Sequence, residues 1–206
     1  MTTRRGSNPQ RCPRCRINVK HCFCFAIKPM TIQTTISLIV HVRELKLTSN
    51  TAQFIKEMLP NNSHFDVRGH VEGPLDIAPI VARPGRALFL YPNDTAVELN
   101  DEFRLHHPGP YHLIVPDGNW HQARKVHQRE PLLKDIQTVK LPAGITGEYG
   151  LRKAPNPSWV STYEAVAHAL GVLESEKLRD ELMVFFRIFV KSVLHSRKDF
   201  FGKLEF

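Results

Sequence analysis

No cysteine follows Cys24 in this 206-residue chain, and no aspartate or glutamate precedes Glu44. Cysteines confined to one short stretch of so long a chain do not suit a small secreted disulfide scaffold. The opening Met1-Thr2-Thr3-Arg4-Arg5 has no apolar run of the kind a secretory leader needs. A cytoplasmic protein is therefore expected. Nor does any apolar stretch approach the roughly 20 residues that span a bilayer. The most apolar segment, 32–42, is interrupted by Gln33, Thr34, Thr35, Ser37 and His41, so no membrane partner is expected. There is no internal repeat and no low-complexity tract. What remains is one main globular domain with a small appendage, and 42% hydrophobic residues suffice for a substantial core.

The appendage carries the cysteines. Cys12, Cys15, Cys22 and Cys24 follow the spacing C-x2-C-x6-C-x-C. Four thiolates this close can close a tetrahedron on one Zn2+ and leave no position open, which describes a structural metal rather than a catalytic one. The same segment concentrates the charge. Residues 1–43 hold Arg4, Arg5, Arg11, Arg14, Arg16, Lys20, Lys28 and Arg43 and no acid, while the rest of the chain holds 20 charges of each sign. The net +8 thus resides in the N-terminal part. It reads as a footprint for a polyanion, with a solubilising tail as the plainer alternative.

Downstream, elements alternate. Residues 36–42, 64–71, 87–91, 111–115 and 136–141 read as strands. Helices are expected from Asn50 to Pro60, from Trp120 to Arg129, from the capping box Ser161-Thr162-Tyr163-Glu164 to Leu170, and from Glu176 to Arg197. Strands separated by helices of this length imply a mostly parallel sheet and an α/β fold. Ligands then bind beyond the carboxyl ends of the strands. Three segments sit there: Tyr91-Pro92-Asn93-Asp94, Pro116-Asp117-Gly118-Asn119-Trp120, and residues 144–160. In the second, Gly118 permits a turn and Asn119 can cap the next helix, so Asp117 either faces a ligand or is itself only the turn residue.

Taken in order, these pieces resemble the DTW-domain family of tRNA-uridine aminocarboxypropyltransferases, a branch of the SPOUT superfamily. The shared features are the cysteine knuckle, Asn50-Thr51 at a helix start, Tyr91-Pro92 after a strand, Asp117-Gly118-Asn119-Trp120 with Ala123-Arg124-Lys125, Leu151-Arg152, and Ser161-Thr162-Tyr163-Glu164-Ala165. Asn119 departs from the family's usual Thr, although both can cap a helix. The resemblance implies a SPOUT-like α/β domain over residues 31–206 with a C-terminal knot, preceded by a zinc-knuckle arm over residues 1–30. It implies transfer of the 3-amino-3-carboxypropyl (acp) group of S-adenosylmethionine to N3 of a tRNA uridine, with release of 5′-methylthioadenosine. Leu90, Tyr91, Pro92, Pro116, Gly118, Trp120, Leu151, Arg152, Ser161, Thr162 and Glu164 are the implied cofactor contacts.

Asp117 is the candidate catalytic group, either as the base for the N3 proton or as a hydrogen-bonding anchor. Arg152 could hold the methionine carboxylate as a bidentate pair or meet a phosphate instead. Expected RNA contacts are Arg4, Arg5, Arg11, Arg14, Arg16 and Lys20 of the arm, Asn50, Arg124 and Lys125, and Arg187, Lys191 and Lys198. The last three recur at helical spacing on a face that is equally an ordinary charged surface. A SPOUT-type RNA methyltransferase and a non-catalytic zinc-knuckle RNA-binding module are the rival readings. Monomer and homodimer are both open.

Overall fold

The computed structural model describes residues 10–45, 47–70, 73–118, 120–151 and 159–201, the side chains at 120, 200 and 201 excepted. Among these, six strands form one sheet: β1 (Thr35–His41), β2 (Ser63–Arg68), β3 (Arg86–Leu90), β4 (Val97–Glu98), β5 (Tyr111–Asp117) and β6 (Gln137–Lys140). Their order is β2-β1-β5-β3-β6-β4. Every pairing within the sheet is parallel. The helices are α1 (Ala52–Met58), α2 (Ala78–Val81), α3 (Asp101–His106), α4 (Trp120–Arg129), α5 (Pro131–Lys134), α6 (Thr162–Leu173) and α7 (Glu176–Phe201).

Period-2 alternation divides the strand side chains between two cores. Ile36, Leu38 and Val40 of β1, Leu88 and Leu90 of β3, and Leu113 and Val115 of β5 join the core formed with α1, α6 and α7. Ile39, Phe89 and Ile114 point the other way, into a smaller core with Ile77, Ile80, Val126 and Leu133. Strands covered on both faces must be apolar on both, which is why the central strands read as continuous hydrophobic runs.

The smaller-core face also buries a polar network. Ser37 Oγ lies 2.7 Å from His112 Nε2, and Arg83 reaches Ser37 Oγ at 2.5 Å and both carboxylate oxygens of Asp66 at 2.5 and 2.7 Å. This ties β1, β2 and β5 together beneath the sheet. Burial first, and then the charge of Arg83, lowers the pKa of His112 to about 4, so its imidazole is neutral near pH 7.

The expected long elements form with shifts of a few residues at their ends. β2 stops at Arg68 because Gly69 turns the chain with φ +81°. The two-residue edge strand β4 and the short helices α2, α3 and α5 add to the expected set.

The cysteine arm is not splayed from the sheet. Phe23 is fully buried among Phe54 of α1 and Phe185 and Phe189 of α7, with ring centroids 5.3, 6.0 and 5.3 Å away. The Asn18 amide donates to Ser196 Oγ at 3.2 Å, and His21 meets Asp199 at 2.7 Å. Thus the described beginning and end of the chain are packed against each other.

Candidate active site

A cleft of about 300 Å³ opens across the carboxyl ends of β5, β3 and β6. Leu90 ends β3 and Tyr91 and Pro92 follow it, while Val115 and Pro116 belong to β5 and Gly118 follows that strand. Lys140 at the end of β6 and the chain after it, 141–145, form a third wall, and Val160, Ser161, Thr162 and Ala165 around the start of α6 close it. Seven of the expected cofactor contacts therefore converge: Leu90, Tyr91, Pro92, Pro116, Gly118, Ser161 and Thr162.

Local chemistry explains the walls. Gly118 has φ +135°, and a Cβ there would come within 2.5 Å of Gln122 Oε1, so the turn from β5 into α4 requires glycine. The Tyr91 ring stacks on His127 of α4 at 5.0 Å and 17°, which fixes the β3 end against that helix. At α6 the capping box is complete, with Ser161 Oγ accepting from the Glu164 amide and Glu164 accepting from the Ser161 amide. The helix N-terminus, with its partial positive charge, is thereby held at the cleft.

Other expected contacts have structural places. Glu164 is fully buried, and its second oxygen accepts from the Glu148 amide at 2.5 Å. Burial pushes its pKa up. Its carboxylate is thus occupied by the backbone and is not among the cleft's lining groups. Leu151 packs in the main core. Arg152 and Asn119 lie outside the described residues, as does the side chain of Trp120. Asp117, 6% exposed, ends β5 directly beside Val40 of β1. It does not line the cleft itself, but both its neighbours do.

The expected RNA contacts are scattered. Arg4 and Arg5 are outside the described residues. Asn50 is 3% exposed, its Oδ1 accepting from the Ala52 amide and its Nδ2 donating to the Glu44 carbonyl, so it braces the turn into α1 just before the N-cap position, Thr51. Arg14 pairs with Glu57 at 2.5 Å, Arg16 donates to Gln53 at 2.9 Å, and Arg11 donates to the Arg16 carbonyl at 2.9 Å. These cations fasten the arm to α1 and to itself. Lys20 and Arg124 are exposed, and Lys125 is half-buried. On α7, Arg187 forms a two-pronged pair with Glu148 at 2.7 and 2.8 Å, beside Lys191 and Lys198.

The knuckle cysteines meet as their spacing requires. Cys12–Cys24 and Cys15–Cys22 sulfurs are 3.8 Å apart and Cys22–Cys12 sulfurs 3.5 Å, and none forms a disulfide. The backbone N–H of Cys15 draws the Cys12 thiol down to about 6, against burial. Burial pushes Cys15 up to about 11 and raises Cys24 as well. Such a set ionises together only around a cation, and the four could hold one metal ion.

Sequence reasoning missed the wall formed by Lys140, Leu141, Pro142 and Ala143, together with Val115, Ala123 and Ala165. The Pro142-Ala143-Gly144 run after a strand was the available signal for the first of these. Ala123 and Ala165 stood in the shared motifs, but their small side chains did not single them out as contacts.

The model of the DTW domain matches residues 9–194. The chain belongs to the DTW-domain family. Within this DTW family, tRNA-uridine aminocarboxypropyltransferase 2 of Drosophila melanogaster is 31% identical over 180 residues, covering 84% of this chain and 70% of that protein. The Mus musculus protein of the same name is 29% identical over 179 residues, and there the match spans 84% of this chain but only 59% of the relative. The Arabidopsis thaliana tRNA-uridine aminocarboxypropyltransferase A is 25% identical over 194 residues, with 81% and 74% covered. A solved chain, the SAM-dependent rRNA:acp-transferase Tsr3 from Vulcanisaeta distributa, aligns at TM-score 0.47 and 19% identity over 81% of this DTW protein and 79% of that one.

Proposed function

We propose that the protein transfers the 3-amino-3-carboxypropyl group of S-adenosylmethionine to N3 of a uridine in tRNA. The observation that carries this reading is the convergence of the Tyr91-Pro92, Pro116-Asp117-Gly118 and Ser161-Thr162 segments at one cleft. The names of the family relatives agree with it. The apolar side chains of Leu90, Leu141 and Ile145 suit an adenosine, and the α6 N-terminus suits the methionine carboxylate. The sulfonium activates its own substituents, so the protein must aim one carbon and manage one proton. The N3–C bond forms as the C–S bond breaks, and the sulfur keeps the electron pair in 5′-methylthioadenosine. Asp117, buried between the cleft residues Pro116 and Gly118, takes the N3 proton or holds the base by accepting a hydrogen bond.

Zn2+ fits the knuckle, because a tetrahedron with Zn–S bonds of about 2.3 Å has edges of about 3.8 Å, against sulfur separations of 3.5 to 3.8 Å. Cys12, Cys15, Cys22 and Cys24 would hold it, and it would organise the arm. A SPOUT-like arrangement with a C-terminal knot is supported by the chain's path. After β6 it returns across the carboxyl edge until the Tyr149 hydroxyl donates to the Ser49 carbonyl, 2.6 Å away beyond β1. The cytoplasm, where thiols stay reduced, suits such a protein.

The test incubates the purified protein with S-adenosylmethionine and unmodified tRNA and analyses both products by mass spectrometry. The reading expects 5′-methylthioadenosine and an acp-uridine in equal amounts. S-adenosylhomocysteine with a methylated base would make the protein a methyltransferase, and no product with intact tRNA binding would make it a binding module.

A further inference from the structure

The carboxyl edge of the sheet continues beyond the cleft. Over β1 and β2 it holds a second concavity of about 460 Å³. Its cations come from Arg43, Arg68, Lys125 and Arg129, with the imidazoles of His41 and His121 beside them, and no acid lines it among the described residues. The carboxylates that act on this lining are Glu130, toward Arg68, and Glu44, toward His41. Four guanidinium and ammonium groups thus share one groove.

The groove is built, not a chance meeting of long side chains. His41 and Arg68 are paired neighbours at the ends of β1 and β2. Arg68 donates to the Gln122 carbonyl in the first turn of α4 at 3.1 Å, which fixes its guanidinium against that helix. Gly69 leaves the room: a Cβ there would stand 2.8 Å from His41 Nε2. Burial and then the charges of Arg68 and Arg43 lower the His41 pKa, as expected of an imidazole inside a cationic pocket.

Its position relates it to the chemistry. Asp117 is the register partner of Val40, the residue before His41. The groove therefore lies on one side of Asp117, over β1 and β2, and the apolar cleft on the other, over β5, β3 and β6. Adjacent strands are about 4.8 Å apart, so the two concavities are a nucleotide's reach from each other. We infer that the groove is a phosphodiester-binding site that seats a tRNA backbone phosphate beside the target uridine, whose base extends past Asp117 to the cleft. This rests on the proposed transfer to tRNA. Guanidinium groups recognise phosphate oxygens in forked geometry, and such contacts position a nucleic acid without reading its sequence.

The experiment compares the wild type, the groove variant Arg43→Gln/Lys125→Gln/Arg129→Gln, and the control Lys56→Gln/Lys134→Gln/Lys177→Gln, which removes equal charge elsewhere. Binding of unmodified tRNA is followed across a salt series, S-adenosylmethionine binding by calorimetry, and product formation by mass spectrometry. The groove variant should raise the tRNA Kd about tenfold or more and flatten the salt slope by roughly 0.7–0.9 for each phosphate it no longer neutralises, while the cofactor binds as in the wild type. A tRNA affinity and slope like the wild type's, or equal losses in the control, would overturn the groove assignment while wild-type transfer still upheld the function. Groove-dependent tRNA binding without any transfer by the wild type would sink the function and leave the groove standing.

Discussion

The two halves of the sheet's carboxyl edge make an instructive contrast. They share one continuous parallel ladder, yet the β5-β3-β6 half ends in an apolar cleft and the β2-β1 half in a cationic groove. The difference lies in what surrounds the strand ends. Pro92 and Pro142-Ala143-Gly144 turn the backbone with little polar side-chain mass, whereas Arg43 after β1, Arg68 at the end of β2, and Lys125 and Arg129 of α4 gather around the turn that Gly69 opens. The sheet supplies position, and the loops and helix at its carboxyl edge supply ligand chemistry. Asp117 stands at the boundary between them.

The boundary is where the largest effect is expected. Asp117→Asn keeps the shape but cannot take a proton near neutrality, and loss of a general base typically costs about 10²- to 10⁴-fold in rate. Single-turnover release of 5′-methylthioadenosine should fall in that range while tRNA and cofactor affinities stay put. Near-wild-type turnover would reduce Asp117 to a turn residue.

Acid should separate the halves next. The folded chain holds His112 neutral down to about 4, whereas an unfolded chain protonates near 6.5. Within that window the unfolded state binds the extra proton, so stability falls as pH falls, by up to about 1.4 kcal/mol per pH unit. Because Ser37, Asp66 and His112 lie on β1, β2 and β5, hydrogen exchange should quicken in β1 and β2 before β3 and β6. Uniform loosening would show that the network does not single out the groove half.

The smallest effect is the most local. Gly69→Ala forces a left-handed residue, worth about 1–2 kcal/mol, and crowds His41. Melting should shift accordingly and tRNA affinity should drop, with cofactor binding untouched. Equal loss at both ligands would mean that the two halves are coupled rather than independent.

Much of this was legible in the sequence, unevenly. The long strands and helices announced themselves because their apolar runs are buried on both faces, and the capping box of α6 forms as its Ser-x-x-Glu pattern specifies. The knuckle was readable because ligand spacing is a local property. The groove was not: His41, Arg68 and Arg129 are far apart in sequence and meet only through strand order. Short elements such as β4 also escaped, since two residues carry no period. Asn50 and Glu164 show a further limit: the sequence marks both as motif residues but does not reveal the distant backbone groups of Glu44 and Glu148 that they hold.

The burial of Phe23 against Phe185 and Phe189 also sets an order of events during synthesis. The arm is made well before α7, which supplies Phe185 and Phe189. At about 5–20 residues per second, Phe23 waits on the order of ten to thirty seconds for α7 to emerge. Through that interval Phe54 of α1 is the one of its three aromatic neighbours already made, and the rest of the Phe23 ring stays exposed. Helix α7 is thus the clasp that ends this exposure, and a chain truncated before it would hold the arm by α1 alone.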